Sequence, residues 1–162
     1  MLLKYLDLKN NLKLHFMKKN STIIREVRKI LDKNLELKKL RKTPERFAIL
    51  EEIYNFSHHF DADELYKKMK KNNFGVSKAT VYNTLDLLLE IELVTKHIFR
   101  DNTSKYEKSF GFRQHDHIIL ENDEILEFCD PRIQSIKNSI EKIFDIKITN
   151  HSLYFFGKKL EK

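Results

Sequence analysis

Cysteine, proline and glycine are scarce in this chain. Among 162 residues there are one Cys, two Pro and three Gly. A single cysteine excludes an internal disulfide and fits a reducing cytoplasm. Any metal bound here must rely on ligands other than paired thiolates. So few Pro and Gly exclude collagen-like segments and long flexible linkers. No apolar run approaches the roughly 20 residues of a membrane span. The N-terminal leucines are interrupted by Lys4, Asp7, Lys9 and Asn10, which spoils the apolar core of a secretory leader. No internal repeat and no low-complexity tract occurs. A cytoplasmic location without membrane contact is expected.

What is present is a hydrophobic fraction of 41 %, enough for a real core, in a length that suits one large domain or two small ones. The net charge is +7 and unevenly placed. Residues 1–46 hold 14 Lys and Arg against 5 Asp and Glu, a net of +9. The remainder holds 17 against 19, a net of −2. A basic N-terminal part joined to a slightly acidic C-terminal part suggests a polyanion at one end only. A solvated lysine-rich surface is the plainer alternative.

Periodicity and punctuation divide the chain. Residues 1–20 form an arm of uncertain order. A first helix is expected from about Thr22 to Leu40, with Ile23, Val27, Ile30 and Leu31 at helical spacing. Thr43 and Pro44 mark the start of a second, with Phe47, Leu50, Ile53 and Tyr54 on one face. Asp61-Ala62-Asp63-Glu64 opens a third, which buries Leu65 and Met69 and stops near Asn72–Gly75. A fourth runs from Ser77 to about Glu90, with Val81, Leu85 and Leu88 inward and Ala79, Tyr82, Asn83 and Asp86 opposite. Leu93–Phe99, a turn at Arg100–Thr103 and Ser104–Glu107 read as a hairpin. The pattern is a winged helix-turn-helix over residues 21–108. In such a module the second helix of the pair enters the major groove. Its exposed face offers Ser77, Lys78, Thr80, Tyr82 and Asn83 to bases and phosphates.

Residues 109–162 read as a smaller α/β unit, giving an α+β protein. Two strands flank Glu121–Asp123. Asp130 and Pro131 open a helix whose Ile133, Ile136, Ile140 and Ile143 are expected to face inward. Ile146, Ile148 and His151–Phe156 are expected as strands. The unit is too short to bury its Ile- and Phe-rich surface alone, so pairing with a second copy is expected.

The stretch Arg113–Asp130 reads R-Q-H-D-H-I-I-L-E-N-D-E-I-L-E-F-C-D. Alternate residues of a strand share a face, so His115 and His117 project together and Asp116 the other way. A three-residue loop would set His117 opposite Glu127; a two-residue loop would turn Glu127 to the wrong face. Two imidazoles and one carboxylate then suggest a metal, against the plainer reading of polar surface.

The motifs T-P-E-R (Thr43–Arg46), H-F-D-A-D-E-L-Y (His59–Tyr66), A-T-V-Y-N-T-L (Ala79–Leu85), H-D-H (His115–His117) and T-N-H-S-L-Y (Thr149–Tyr154) occur in order. On them the chain resembles the ferric uptake regulator family over about residues 38–160. The resemblance implies a cytoplasmic, homodimeric transcriptional repressor, not an enzyme, with a DNA-binding and a dimerisation domain. It implies that divalent metal favours the DNA-binding arrangement, and a regulatory site at His59, Glu107, His115, His117 and Glu127. That donor set suits Fe²⁺, Mn²⁺, Co²⁺ or Zn²⁺ better than Cu⁺. Peroxide-sensing members typically carry Asp where Glu107 and Glu127 stand, which favours an iron-responsive regulator here.

A second family site is half kept. Asp116 and His151 match, but Gln114 and Gln134 stand where His and Glu are usual, and amides are weak ligands. The family's four-cysteine zinc is not expected, because Leu120, Asp123 and Lys159 occupy its positions. Arg41 or Lys42 matches a position that enters the minor groove in relatives, favouring A·T-rich inverted repeats. Asn83 replaces a common Arg and implies an altered base preference.

Several residues invite plainer readings: Cys129 as a small, partly buried thiol, His58 as a surface group, His97 as packing or a phosphate contact. A zinc-, manganese- or peroxide-responsive member, a small metallohydrolase and a constitutive architectural DNA-binding protein are the alternatives. No H-E-x-x-H pattern supports the hydrolase, and no small-molecule substrate is expected.

Overall fold

This computed structural model describes residues 2–98, 104–111, 115–122 and 124–160, with side chains from residue 20 onward. The expected turn at Arg100–Thr103 and the positions of Gln114 and Asp123 lie outside the described residues. The chain forms two compact units, residues 1–112 and 113–162.

The first unit opens with α1, Leu2–Leu37, followed by α2 (Pro44–Asn55), α3 (Ala62–Lys71), α4 (Lys78–Glu90), β1 (Val94–Ile98) and β2 (Ser104–Lys108). The helix expected at 22–40 is therefore the C-terminal part of a longer one, and it ends three residues early. Lys39 adopts a left-handed conformation, φ 53°. Leu40 N donates to Leu35 O at 2.8 Å and Lys39 N to Glu36 O at 3.0 Å, a Schellman closure built without glycine. The ends of α3 and α4 repeat it at Asn73 and Glu92. Thr43 occupies the N-cap position of α2 and Pro44 the first turn, but the Thr43 hydroxyl accepts no amide. Asp61 does cap α3, taking Glu64 N at 2.8 Å, and Ser77 caps α4, taking Thr80 N at 3.0 Å.

Apolar stripes from all four helices meet in one core. Val27, Leu31 and Leu35 of α1 pack with Leu50 and Ile53 of α2, Leu65 and Met69 of α3, and Val81, Leu85 and Leu88 of α4, all fully buried. Each such side chain contributes about 1.5–3 kcal/mol of transfer free energy. This core fixes the helix-turn-helix, α3 to α4, and leaves Ala79, Tyr82, Asn83 and Asp86 exposed as expected. Surface ion pairs tie α1 to the other helices, Arg28 to Glu51 and Lys38 to Glu90.

β1 and β2 form the antiparallel wing, with Thr95 opposite Glu107 and His97 opposite Lys105. One further bridge was not legible in the sequence. Phe60, just before α3, pairs with Tyr106, through Phe60 N to Tyr106 O at 3.0 Å and Tyr106 N to Phe60 O at 2.7 Å. It sets His59 beside Glu107. The chain after Glu107 is fastened to the same unit. Lys108 Nζ donates to Phe56 O (2.6 Å) and Tyr54 O (3.2 Å) at the C-terminal end of α2. The Tyr54 hydroxyl donates to Leu93 O (2.8 Å) and accepts from Phe110 N (3.3 Å). Gly111 has φ 80°, and a Cβ there would lie 3.1 Å from Ile23 Cδ1, so the left-handed turn and the close approach both call for glycine.

The second unit contains β3 (Asp116–Leu120), β4 (Ile125–Phe128), α5 (Pro131–Phe144) and β5 (Tyr154–Gly157). The sheet order is β4-β3-β5, with β4 antiparallel and β5 parallel to β3. Asp130 caps α5, accepting Arg132 N at 2.9 Å. Two expectations fail here. Ile146 and Ile148 form no strand, and only Tyr154–Gly157 does so. Three of the four isoleucines of α5 do not face inward: the helix has no buried residue, Ile133 is half-buried, and Ile136, Ile140 and Ile143 are 59 %, 37 % and 74 % exposed. The stripe was correctly periodic, but a single copy of the unit does not cover it.

Candidate metal centre and nucleic-acid face

In the first unit, one carboxylate sits between two histidines. Glu107 Oε2 lies 3.3 Å from His59 Nε2, and Oε1 lies 2.6 Å from His97 Nε2. The two imidazole centroids are 5.6 Å apart. His59 and His97 are buried and Glu107 is half-buried. Burial pushes the Glu107 carboxyl up, but hydrogen bonds and charge from His59 and His97 outweigh it and hold the group well below the usual carboxylate range. The sequence assigned His97 to packing or a phosphate contact. Its side chain instead engages Glu107, because it lies two residues along β1 from Thr95, which pairs with Glu107. Same-face diagonal neighbours of this kind meet readily.

In the second unit, β3 and β4 pair in the three-residue-loop register, which sets His117 opposite Glu127. Leu120 N donates to Glu124 O at 3.0 Å and closes the turn. His115 and His117 share a face, with ring centroids 4.8 Å apart, and His115 Nε2 lies 3.7 Å from Glu127 Oε1. His117 is buried and its ring stacks on Tyr154 of β5, at 5.8 Å and 17°. The hairpin brings together the three groups expected of it, and β5 braces one of them.

Asp116 projects the other way, as alternation requires. It is buried, accepts Leu153 N at 3.2 Å and lies 3.4 Å from His151 Nε2. Gln134 turns its amide to Asn138, 2.8 Å away on the same helix. The Asp116–His151 pair thus forms, and Gln134 engages its own helix. Cys129 is exposed, against the expected partly buried thiol: it lies just past β4, where the ladder no longer covers it. His58 is an exposed group, 2.8 Å from Glu64.

On α4 the hydroxyls of Ser77 and Thr80 lie 2.9 Å apart, and Lys78 reaches Asp63 at 2.6 Å. Tyr82 is 46 % exposed and Asn83 is exposed beside it. Lys42 pairs with Asp32 at 2.8 Å and Glu36 at 3.4 Å. Arg41 is exposed, and its carbonyl accepts from Arg46 at 2.7 Å. Among the described residues no helix is long and apolar enough to cross a membrane.

Residues 37–156 match the profile of the ferric uptake regulator family. The chain belongs to this family. It is 37 % identical over 130 residues to the ferric uptake regulation protein of Yersinia pestis, spanning 78 % of this chain and 87 % of that one. The crystal structure of the Vibrio cholerae ferric uptake regulator superposes with a TM-score of 0.65 at 33 % identity, over 79 % of this chain and 98 % of that one. The peroxide stress regulator of Campylobacter jejuni superposes with a TM-score of 0.63 at 26 % identity, over 80 % and 94 %. Family members are metal-responsive, dimeric DNA-binding transcription regulators, not enzymes, with an N-terminal DNA-binding and a C-terminal dimerisation domain in one α+β architecture.

Proposed function

We propose that the chain is an Fe²⁺-responsive transcriptional repressor that acts in the cytoplasm as a homodimer on A·T-rich inverted repeats. The observation that carries this reading is a split donor set. One unit pairs His59 with Glu107, and the other pairs His117 with Glu127 beside His115. Three imidazoles and two carboxylates fit a divalent first-row ion and offer no thiolate for Cu⁺. When bound, the ion supplies positive charge that five ligands from two units share. Those ligands would favour one relative arrangement of the units, by the metal's higher affinity for it.

Two glutamates, rather than aspartates, at positions 107 and 127 favour iron sensing over peroxide sensing. Zn²⁺ can occupy the same donors, since affinity alone ranks zinc above iron, and Mn²⁺ accepts the same imidazole and carboxylate donors. At the second family position, Asp116 is engaged with His151 and Leu153 N, and an amide stands at Gln134. That set does not fit a tight metal site. Nor is a four-cysteine zinc expected in a chain with one cysteine.

For DNA, the proposed contacts are Arg41, Lys42, Ser77, Lys78, Thr80, Tyr82 and Asn83. Arg41 is favoured over Lys42 for the minor groove, because Lys42 is held by Asp32 and Glu36. The test is anaerobic fluorescence anisotropy on an A·T-rich inverted repeat at one fixed salt concentration. Chelated protein is compared with protein given Fe²⁺, Mn²⁺ or Zn²⁺. Binding that appears only with metal, and is lost in His117→Ala, is the expected result. Equal binding without metal would replace this reading with that of a constitutive architectural protein.

A further inference from the structure

Resting on the metal reading above, we propose that His97 is a positioning residue for the sensor metal: its Nε2–H holds Oε1 of Glu107, so that Oε2 is presented on the His59 side. A carboxylate only accepts, so the 2.6 Å contact from His97 Nε2 to Oε1 requires the proton on His97. A nitrogen that donates this proton has no lone pair for a metal. His97 Nε2 is thereby engaged by the carboxylate, and we assign His97 a role that acts through Glu107.

The fold makes this arrangement stiff. His97 is 3 % exposed and lies on β1, and Glu107 lies on β2 of the same ladder. The Phe60–Tyr106 bridge fixes the chain on the other side, next to His59. Charge-assisted hydrogen bonds of this kind are short and strong. Partners that orient a ligating carboxylate are worth roughly 10- to 100-fold in metal affinity. With Oε1 held by His97, Oε2 is the oxygen turned to the His59 side.

The experiment has two arms on the full-length protein. In the first, uniformly ¹⁵N-labelled wild type is loaded with Zn²⁺, and the imidazole nitrogens are assigned by long-range ¹H–¹⁵N correlation. The expected result is a protonated His97 Nε2, while His59, His115 and His117 each show a metal-shifted nitrogen. A metal-shifted nitrogen on His97 would make it a ligand and overturn the proposal. This arm needs no variant and does not depend on how a mutant folds.

In the second arm, Co²⁺ affinity is measured by competition with a chelating dye for wild type, His97→Leu and His97→Gln. H97L is expected to bind roughly 10- to 100-fold more weakly. H97Q, whose amide N–H restores a donor, is expected to regain affinity, and the Co²⁺ absorption bands are expected to keep their shape throughout. Wild-type affinity in H97L overturns the proposal and leaves the metal reading intact. A wild type that binds no Co²⁺, or binds it equally after His59→Ala, overturns the metal reading itself.

Discussion

Glu127 lies directly opposite His117 in the β3–β4 ladder. The pairing exists because the turn takes three residues, and a one-residue slip would carry Glu127 to the other face. An oxygen at Glu127 then becomes a test of the site. Glu127→Gln keeps shape and exposure but removes a strong donor. It should weaken Co²⁺ binding by more than the roughly 10- to 100-fold of losing an orienting partner, with the far-ultraviolet circular dichroism of the metal-free protein unchanged. Unaltered Co²⁺ affinity in E127Q would strike Glu127 from the ligand set.

Much of this geometry was legible beforehand. Alternation in H-D-H assigned His115 and His117 to one face and Asp116 to the other, and the helical stripes identified Leu50, Leu85 and their neighbours as core. The end of α1 was harder to read, and was placed three residues late, for a definite reason. With three glycines in the chain, α1, α3, α4 and α5 close at Lys39, Asn73, Glu92 and Asp145, all with positive φ. Of these only Asn and Asp commonly visit that conformation, so Lys39 carries no stop signal at the end of α1. The His97–Glu107 contact was missed because it is a diagonal cross-strand relation, set by a register that local sequence does not state. The Ile stripe of α5 was legible in period but not in orientation, since the described residues of one chain leave it exposed.

Asp61 offers a stability test with a defined pH signature. Burial raises its carboxyl, but the Glu64 amide and Lys105, 3.0 Å away, outweigh this and lower it below the usual value. A carboxyl lowered in the folded state stabilises fully above its unfolded value, about 4. That contribution is lost as pH falls through the folded value. Asp61→Ala should therefore cost about 0.5–2 kcal/mol near neutral pH, read by urea unfolding. The gap from wild type should narrow in acid below about pH 4. Asp61→Asn keeps the cap but loses the charge that meets Lys105, so its penalty should be smaller than that of Asp61→Ala and should vanish in acid. A D61A penalty that does not change between neutral and acid conditions would show that the charge on Asp61 is irrelevant.

The bare face of α5 predicts the assembly. Ile136 and Ile143 are 59 % and 74 % exposed, and Phe155 and Phe156 of β5 are each about half exposed. Exposed apolar side chains on two elements of a small unit mark an association surface. Sedimentation equilibrium should find a dimer for the wild type. Ile136→Lys together with Ile143→Lys should yield a monomer, because each ammonium would have to be desolvated in the interface. DNA affinity for an inverted repeat should fall with it, since each copy reads one half-site. A double variant that stays dimeric would move the interface elsewhere.

The nucleic-acid face separates into charge and reading. Lys78, at the start of α4 and 2.6 Å from Asp63, is the proposed phosphate contact. Lys78→Gln should weaken binding to all sequences alike and reduce the slope of log K against log salt by about 0.9. Asn83, exposed beside Tyr82, has an amide suited to two hydrogen bonds with adenine. Asn83→Ala should leave the salt slope unchanged and cost about 1–3 kcal/mol on the preferred operator alone. The two variants therefore diverge in opposite measurements, one in salt dependence and the other in sequence preference. If Asn83→Ala binds operator and unrelated DNA with the wild-type ratio, reading falls to other residues of α4, with Tyr82 the next to test.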